Sequence, residues 1–226
     1  MKKKILFSAY TLDVGGVETA LVNLLNELIK KHDITLILEK KQGIFLDELN
    51  SQINVIEYNP NQNKNPLIRK IINLLKRIKF IIKYKNKFDF AASFATYSKM
   101  GSFCARTASK NNALWVHTDY LEFYKQQKQD MIKFFKFINY NKFKNIITIS
   151  NSAKKSLEKV FQLKTVKVIN NLINDKALLE KSEEFIEIKK EENITTFLNV
   201  ARHDEESKKI TRIILCQTSP FFVSKY

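Results

Sequence analysis

Short apolar runs alternate with longer stretches of helical periodicity along most of this chain, and that alternation leaves few folds open other than a parallel sheet covered by helices. Strands are expected at Lys4–Ala9, Ile34–Leu38, Val55–Tyr58, Phe88–Phe94, Ala113–Val116, Asn145–Ile149 and Val166–Ile169. The apolar spacing between them predicts helices over Val17–Lys30, Ile44–Ser51, Leu67–Lys85, Ser98–Ser109, Tyr120–Tyr140 and Ser152–Phe161. Repeated strand-then-helix units make the expected fold class α/β, a Rossmann-like doubly wound parallel sheet. No segment repeats at a fixed period, and the Asn/Lys-rich run Asn59–Asn65 reads as a solvated connection. The densely charged segment Asp175–Asn193 is expected to carry the chain onward to a second unit.

Charge narrows the range of partners. The 226 residues carry 39 Lys and Arg against 23 Asp and Glu, a formal charge of +16, and such an excess attracts polyanions. Much of it sits in Pro66–Lys87, where Ile68, Ile71, Ile72, Leu75, Ile78 and Ile82 recur at helical spacing among lysines and arginines with no acidic residue before Asp89. That is a basic amphipathic helix, and two readings remain open for it: packing on a core, or contact with an anionic membrane surface. Phe123–Lys144 repeats the mixture of aromatic and basic residues. Interleaved rings and cations also suit single-stranded nucleic acid, but no RNA-binding signature or glycine-loop module accompanies them, which makes nucleic acid the weaker partner class. Cys104 and Cys216 lie far apart, with no CxxC and no histidine at metal-ligand spacing, so reduced thiols, no structural metal and a cytoplasmic setting are expected. No run approaches the ~20 apolar residues of a membrane span. The apolar start Ile5–Tyr10 is interrupted by Asp13 and Glu18 before it reaches signal-peptide length.

Several residues sit where chemistry is expected. After the first strand comes Asp13-Val14-Gly15-Gly16-Val17-Glu18-Thr19, placing adjacent glycines at a strand end and a helix start, where backbone N–H groups face an anion or a hydroxyl. Taken alone the pair is more often a structural turn. His117 follows the strand Ala113–Val116, a position that suits hydrogen bonding in a cleft and equally suits an ordinary satisfied histidine. Ser150-Asn151-Ser152 reads as a helix N-cap. Further on, the strand-like Thr195–Ala201 leads into Arg202-His203-Asp204-Glu205-Glu206-Ser207-Lys208 and an incipient helix through Ile214. The acidic residues of that turn lack metal-ligand partners.

Taken together, these motifs resemble family 4 glycosyltransferases of the GT-B fold, over Lys3 to about Ile214. The GGVET run is similar to the family's glycine loop, which implies that Gly15, Gly16 and Glu18 lie beside donor and acceptor. A histidine at the place of His117 lines the acceptor side of the sugar cleft in related sequences, which makes it the candidate catalytic residue. Arg202 and Lys208 match the pair that clamps the diphosphate of a nucleotide-sugar, two fixed cations that neutralise a leaving diphosphate without a metal or other cofactor. Asn170-Asn171-Leu172-Ile173-Asn174 resembles the interdomain segment, with a geometric role. By this resemblance residues 1–174 form the acceptor-side N-terminal domain, and 175–226 form the interdomain segment and the start of the donor-binding domain. The glutamate-rich stretch of that second domain has no counterpart after Ile214, and Leu215–Tyr226 no longer looks like it, so an amputated, weakly active or inactive form is expected.

The function implied is retaining transfer of a sugar from a nucleotide-diphosphate donor to an acceptor hydroxyl, on a glycan or lipid-linked acceptor of cell-surface polysaccharide or glycolipid synthesis. The expected location is the cytoplasm, peripheral on the inner face of the cell membrane. Two alternatives are a non-enzymatic membrane-surface or partner-binding protein derived from the same fold, and a basic nucleic-acid binder.

Overall fold

In the computed structural model, residues 1–163 and 165–184 are described. Two compact units divide the chain, Met1–Lys176 and Ala177–Tyr226. The first contains a seven-stranded, wholly parallel sheet. Its strands are β1 (Lys4–Ala9), β2 (Asp33–Leu38), β3 (Asn54–Glu57), β4 (Phe90–Ser93), β5 (Asn112–Val116), β6 (Asn145–Thr148) and β7 (Val166–Val168), in the order β3-β2-β1-β4-β5-β6-β7. Each expected strand is present to within two residues at either end. The helices are α1 (Gly16–Leu28), α2 (Pro66–Tyr84), α3 (Lys99–Ala108), α4 (Tyr120–Phe123), α5 (Lys128–Phe137), α6 (Asn151–Phe161) and α7 (Asp175–Ser182).

Side-chain alternation in β1 distributes the core over both faces of the sheet, as parallel strands buried on two sides require. Phe7 faces α1, packing with Leu21, Leu25, Leu36, Phe94 and Trp115, whereas Leu6 points to the opposite face with Phe80, Cys104, Leu114 and Phe135. α1 covers the first face, and α2, α3, α4, α5 and α6 contribute to the second. β1 therefore lies inside the sheet, with Phe7 opposite Leu36 of β2 and Ala92 of β4. The buried Ser8 hydroxyl donates to the Gly101 carbonyl at 2.8 Å, fixing α3 against the central strand.

Two expected helices are corrected, and one helix forms that the apolar spacing does not predict. Ile44–Ser51 is not a helix but a single 3-10 turn, Ile44–Leu46, with no buried residue. Its amides are engaged elsewhere: Phe45 N donates to Leu12 O at 3.1 Å and Asn50 N to Asn26 Oδ1 at 2.9 Å. Tyr120–Tyr140 breaks after Phe123, where Lys125 and Gln126 take positive φ of 49° and 65°, a conformation that ends a right-handed helix. The break folds α5 back so that Tyr120 stacks on Phe134 at 4.7 Å and meets Phe135 edge-on at 5.4 Å. α7, Asp175–Ser182, is the added helix, at the start of the charged segment expected to carry the chain onward. The expected second-unit strand, Thr195–Ala201, lies outside the described residues.

Candidate functional site

Strand order reverses between β1 and β4, because β1 continues leftward to β2 while β4, β5, β6 and β7 extend to the right. Loops leaving the carboxyl ends of two such strands diverge and open a crevice, the usual place for a ligand in a doubly wound sheet. Gly15, Gly16 and Glu18 follow β1 at this edge, Tyr97 and Ser98 follow β4, and His117 and Asp119 follow β5.

The loop after β1 is built like a short extra ladder. Glu39 N donates to Ala9 O at 3.1 Å, Lys40 N to Tyr10 O at 3.0 Å, and Leu12 N to Gln42 O at 2.9 Å, so the segment after β2 holds the glycine loop in place. Gly43 makes that possible: its φ is +121°, and a Cβ there would run into the backbone of Leu12 and Asp13. Gly15 has an extended backbone, with φ 179°, and caps α1 without a side-chain bond. A Cβ on Gly15 would meet only the flexible end of Glu18, and one on Gly16 would meet nothing within 4 Å. The protein itself therefore leaves the space at Gly16 open. Glu18, in the first turn of α1, accepts a 3.5 Å bond from the Tyr97 hydroxyl, which joins the β1 loop to the β4 loop across the crevice. Burial first, and Glu18 second, push the Tyr97 phenol up to about 12, so it is a hydrogen-bond donor at neutral pH.

His117 lies on the far side of the β4 loop. Its ring packs 4.3 Å from Phe94 and lies parallel to the Trp115 indole, at 6.3 Å and 6°. Burial lowers its pKa to about 4, outweighing the nearby Phe94 carbonyl, and the imidazole is neutral at physiological pH. Neither ring nitrogen has a partner of good hydrogen-bond geometry. The same holds for Trp115 Nε1 and Asn171 Oδ1. Both of those residues line a cavity of about 370 Å³ between α1 and the chain after β7, whose other walls include Leu24, Phe94, Ile169 and Leu172. An indole N–H only donates, an amide oxygen only accepts, and a neutral imidazole does one of each, a set that a polyhydroxylated ligand satisfies in full.

Asp119 closes this side. It caps α4 through Leu121 N at 3.2 Å and Glu122 N at 3.3 Å, and it accepts from the Ser152 hydroxyl at 2.6 Å. Burial pushes its carboxyl up, but these hydrogen bonds and one from Ser156 outweigh it and hold the pKa below the usual range. Ser150 caps α6 through Ala153 N at 3.2 Å, the structural role its sequence suggests. Asn170 donates to the Ile149 carbonyl at 3.0 Å, tying the chain after β7 to the end of β6.

Of the residues singled out in the sequence, Gly15, Gly16, Glu18 and His117 share the carboxyl edge of the sheet, with Tyr97 and Phe94 between the two groups. Arg202 and Lys208 lie outside the described residues. The sequence reading leaves out Tyr97, Gly43 and Trp115, and it takes Asn171 only as part of an interdomain segment with a geometric role. Of these only Trp115 carried a signal, being the single tryptophan of the chain and two positions before His117.

The model of Glycosyltransferase Family 4 matches residues 14–177, which takes in the sheet from the glycine loop onward. The structure of HepE from Anabaena in complex with UDP-glucose superposes with a TM-score of 0.56 at 16% identity, over 77% of this chain and 45% of that one. The same protein in complex with UDP and glucose superposes with a TM-score of 0.58 at 16% identity, over 77% of this chain and 46% of that one. At that identity the likeness is one of fold, and this chain spans less than half the length of the protein it resembles. No curated protein sequence matches the chain.

Proposed function

This chain belongs to glycosyltransferase family 4, and from that premise we propose that it serves as the acceptor-side domain in the transfer of a sugar from a nucleotide-diphosphate donor to an acceptor hydroxyl, with retention at the anomeric carbon. One observation ties the reading to particular residues: His117, Trp115 and Asn171 present unpartnered hydrogen-bonding atoms at one edge of the sheet, two of the three residues in the wall of one cavity. Buried polar atoms normally find partners, so a cluster of orphans marks a place where a ligand's hydroxyls complete the bonding. His117, neutral at physiological pH, would orient an acceptor hydroxyl rather than repel or attract by charge. The open space at Gly16 and the α1 amides around it would admit a phosphate-bearing or hydroxyl-bearing group to the opposite wall. Arg202 and Lys208 would then meet the donor diphosphate. The acceptor in this reading is a glycan or lipid-linked sugar of cell-surface polysaccharide or glycolipid synthesis.

Trp115 offers a direct test, since it is the single tryptophan of the 226-residue chain. Titration with UDP-sugars, UDP and simple glycosides is expected to give a saturable change in emission, lost or weakened about tenfold in His117→Ala and Asn171→Ala. Emission that stays constant through the whole panel, or a response indifferent to both substitutions, would move the cleft away from these residues. Where turnover is measurable, proton NMR of the product reads the anomeric outcome, and an inverted product rejects retention.

A further inference from the structure

α2 is inside out. Phe80 is its one buried residue, at 3% exposure, while Leu67, Ile71, Leu75, Ile78 and Ile82 stand between 44% and 75% exposed. With 3.6 residues per turn these five fall in a sector roughly 80° wide on the side of the helix away from Phe80. The core-packed reading of this helix therefore holds for a narrow strip only. The helix carries six cations, Arg69, Lys70, Lys76, Arg77, Lys79 and Lys83, and no anion. The three ion pairs among the described residues lie elsewhere, one at the C-terminal end of α1 and the others within α5 and α6. Instead Arg77 sits 5.4 Å from the Phe103 ring and Lys83 5.0 Å from the Tyr84 ring.

Beside the helix, against the edge strand β3, is a cavity of about 320 Å³ with Lys76, Lys79 and Lys83 at its rim and Glu57, Tyr58, Phe80 and Tyr84 among its walls; the Glu57 carboxylate accepts from Lys41 N at 3.1 Å, and three cations face that one anion. Lys76 is already positioned, its ammonium donating to Asn59 O at 2.7 Å. The Tyr58 hydroxyl is buried with no hydrogen-bond partner.

We propose that α2 lies in the surface of an anionic phospholipid membrane, its apolar sector among the acyl chains, and that the cavity beside it receives the phosphate of one lipid headgroup from Lys76, Lys79, Lys83 and the Tyr58 hydroxyl. Helices with an apolar stripe bordered by lysine and arginine bind such surfaces through both components. A second copy of the chain fits poorly, because two helices each carrying six cations and no anion would be brought side by side. No described helix is long and apolar enough to cross a membrane, so α2 lies on the surface and does not span. The inference stands apart from the sugar-transfer reading and uses none of its residues.

The test is co-sedimentation of the full chain with vesicles of phosphatidylcholine alone and of phosphatidylcholine mixed with phosphatidylglycerol. Binding about tenfold tighter to the anionic vesicles is expected, and a loss of about tenfold in each of two double variants, Lys79→Gln with Lys83→Gln and Ile78→Ser with Ile82→Ser. All four positions are exposed, and circular dichroism checks that both variants keep the wild-type fold. Tyr58→Phe removes one hydroxyl and is expected to reduce the preference for phosphatidylglycerol without altering the melting temperature. Equal binding to both vesicle types, or full binding by both double variants, overturns the surface. Undiminished preference in Tyr58→Phe overturns the headgroup site, and displacement from the vesicles by a single-stranded oligonucleotide that binds more tightly overturns the choice of partner.

Discussion

A neutral, enclosed imidazole makes folding sensitive to acid, and His117 supplies the sign. Its unfolded pKa is 6.5 and its folded value about 4, so between those limits the unfolded chain binds the extra proton. Stability contributed by the neutral ring is complete above pH 6.5, falls as pH drops through that window, and is lost below 4, a total of about 3 kcal/mol. Melting temperatures taken across this range should fall with acid in the wild type and fall less steeply in His117→Gln; parallel profiles would assign the titration to another group. The glycines separate in a comparable way. Gly43→Ala is expected to cost about 2 kcal/mol, because its left-handed backbone is strained for any side chain and the Leu12 backbone leaves no room. Gly16→Ala should leave stability within about 0.5 kcal/mol and weaken ligand binding instead. Chemical denaturation of both variants distinguishes the two cases. The sequence displayed Gly15 and Gly16 through their adjacency, and it displayed His117 through the strand before it. Gly43 was illegible because its role depends on the loops after β1 and β2 meeting, a contact that no local pattern encodes. Asn171 was hidden in a run of similar residues, and only the cavity it lines distinguishes it.

At the level of elements, strands are more legible in the sequence than helices, for a physical reason. A strand buried on both faces is a compact apolar run, as in Ile34–Leu38, whereas a helix is called from spacing that says nothing of where its amides go. Ile44–Ser51 has acceptable spacing, yet Leu12 and Asn26 capture two of its N–H groups. The break after α4 depends on aromatic stacking between residues more than ten positions apart, as in Tyr120 on Phe134. α2 is the helix its spacing predicts, but amphipathicity alone does not tell which face looks inward. Its packing predicts an unusual mutational profile. Phe80→Ala, which empties a contact with Tyr58, Tyr84 and Phe103, should cost about 3 kcal/mol, while Ile82→Ala should fall within about 0.5 kcal/mol of wild type. Urea unfolding of the pair checks this, and a large cost at Ile82 would mean that its face is covered.

Across the whole molecule, the doubly wound class followed from alternation alone, while the place of the crevice needed the strand order, which alternation leaves open. All seven strands fall within Met1–Lys176. A fragment ending at Lys176 is therefore expected to unfold in one cooperative transition, seen as coincident loss of far-ultraviolet dichroism and Trp115 fluorescence on heating. Separate transitions would show that the sheet needs residues beyond it. The inward position of β1 also has a bearing on synthesis. β1 emerges from the ribosome first and soon finds β2, but its other edge waits for β4, and Ser8 reaches Ala92 across 84 intervening steps of sequence. At about 5 to 20 residues per second, this buried apolar strand of the nascent chain is left with one bare edge for roughly 4 to 17 seconds. That interval is when a ribosome-bound chaperone has the most to protect, and slowing translation between residues 39 and 90 lengthens the exposure.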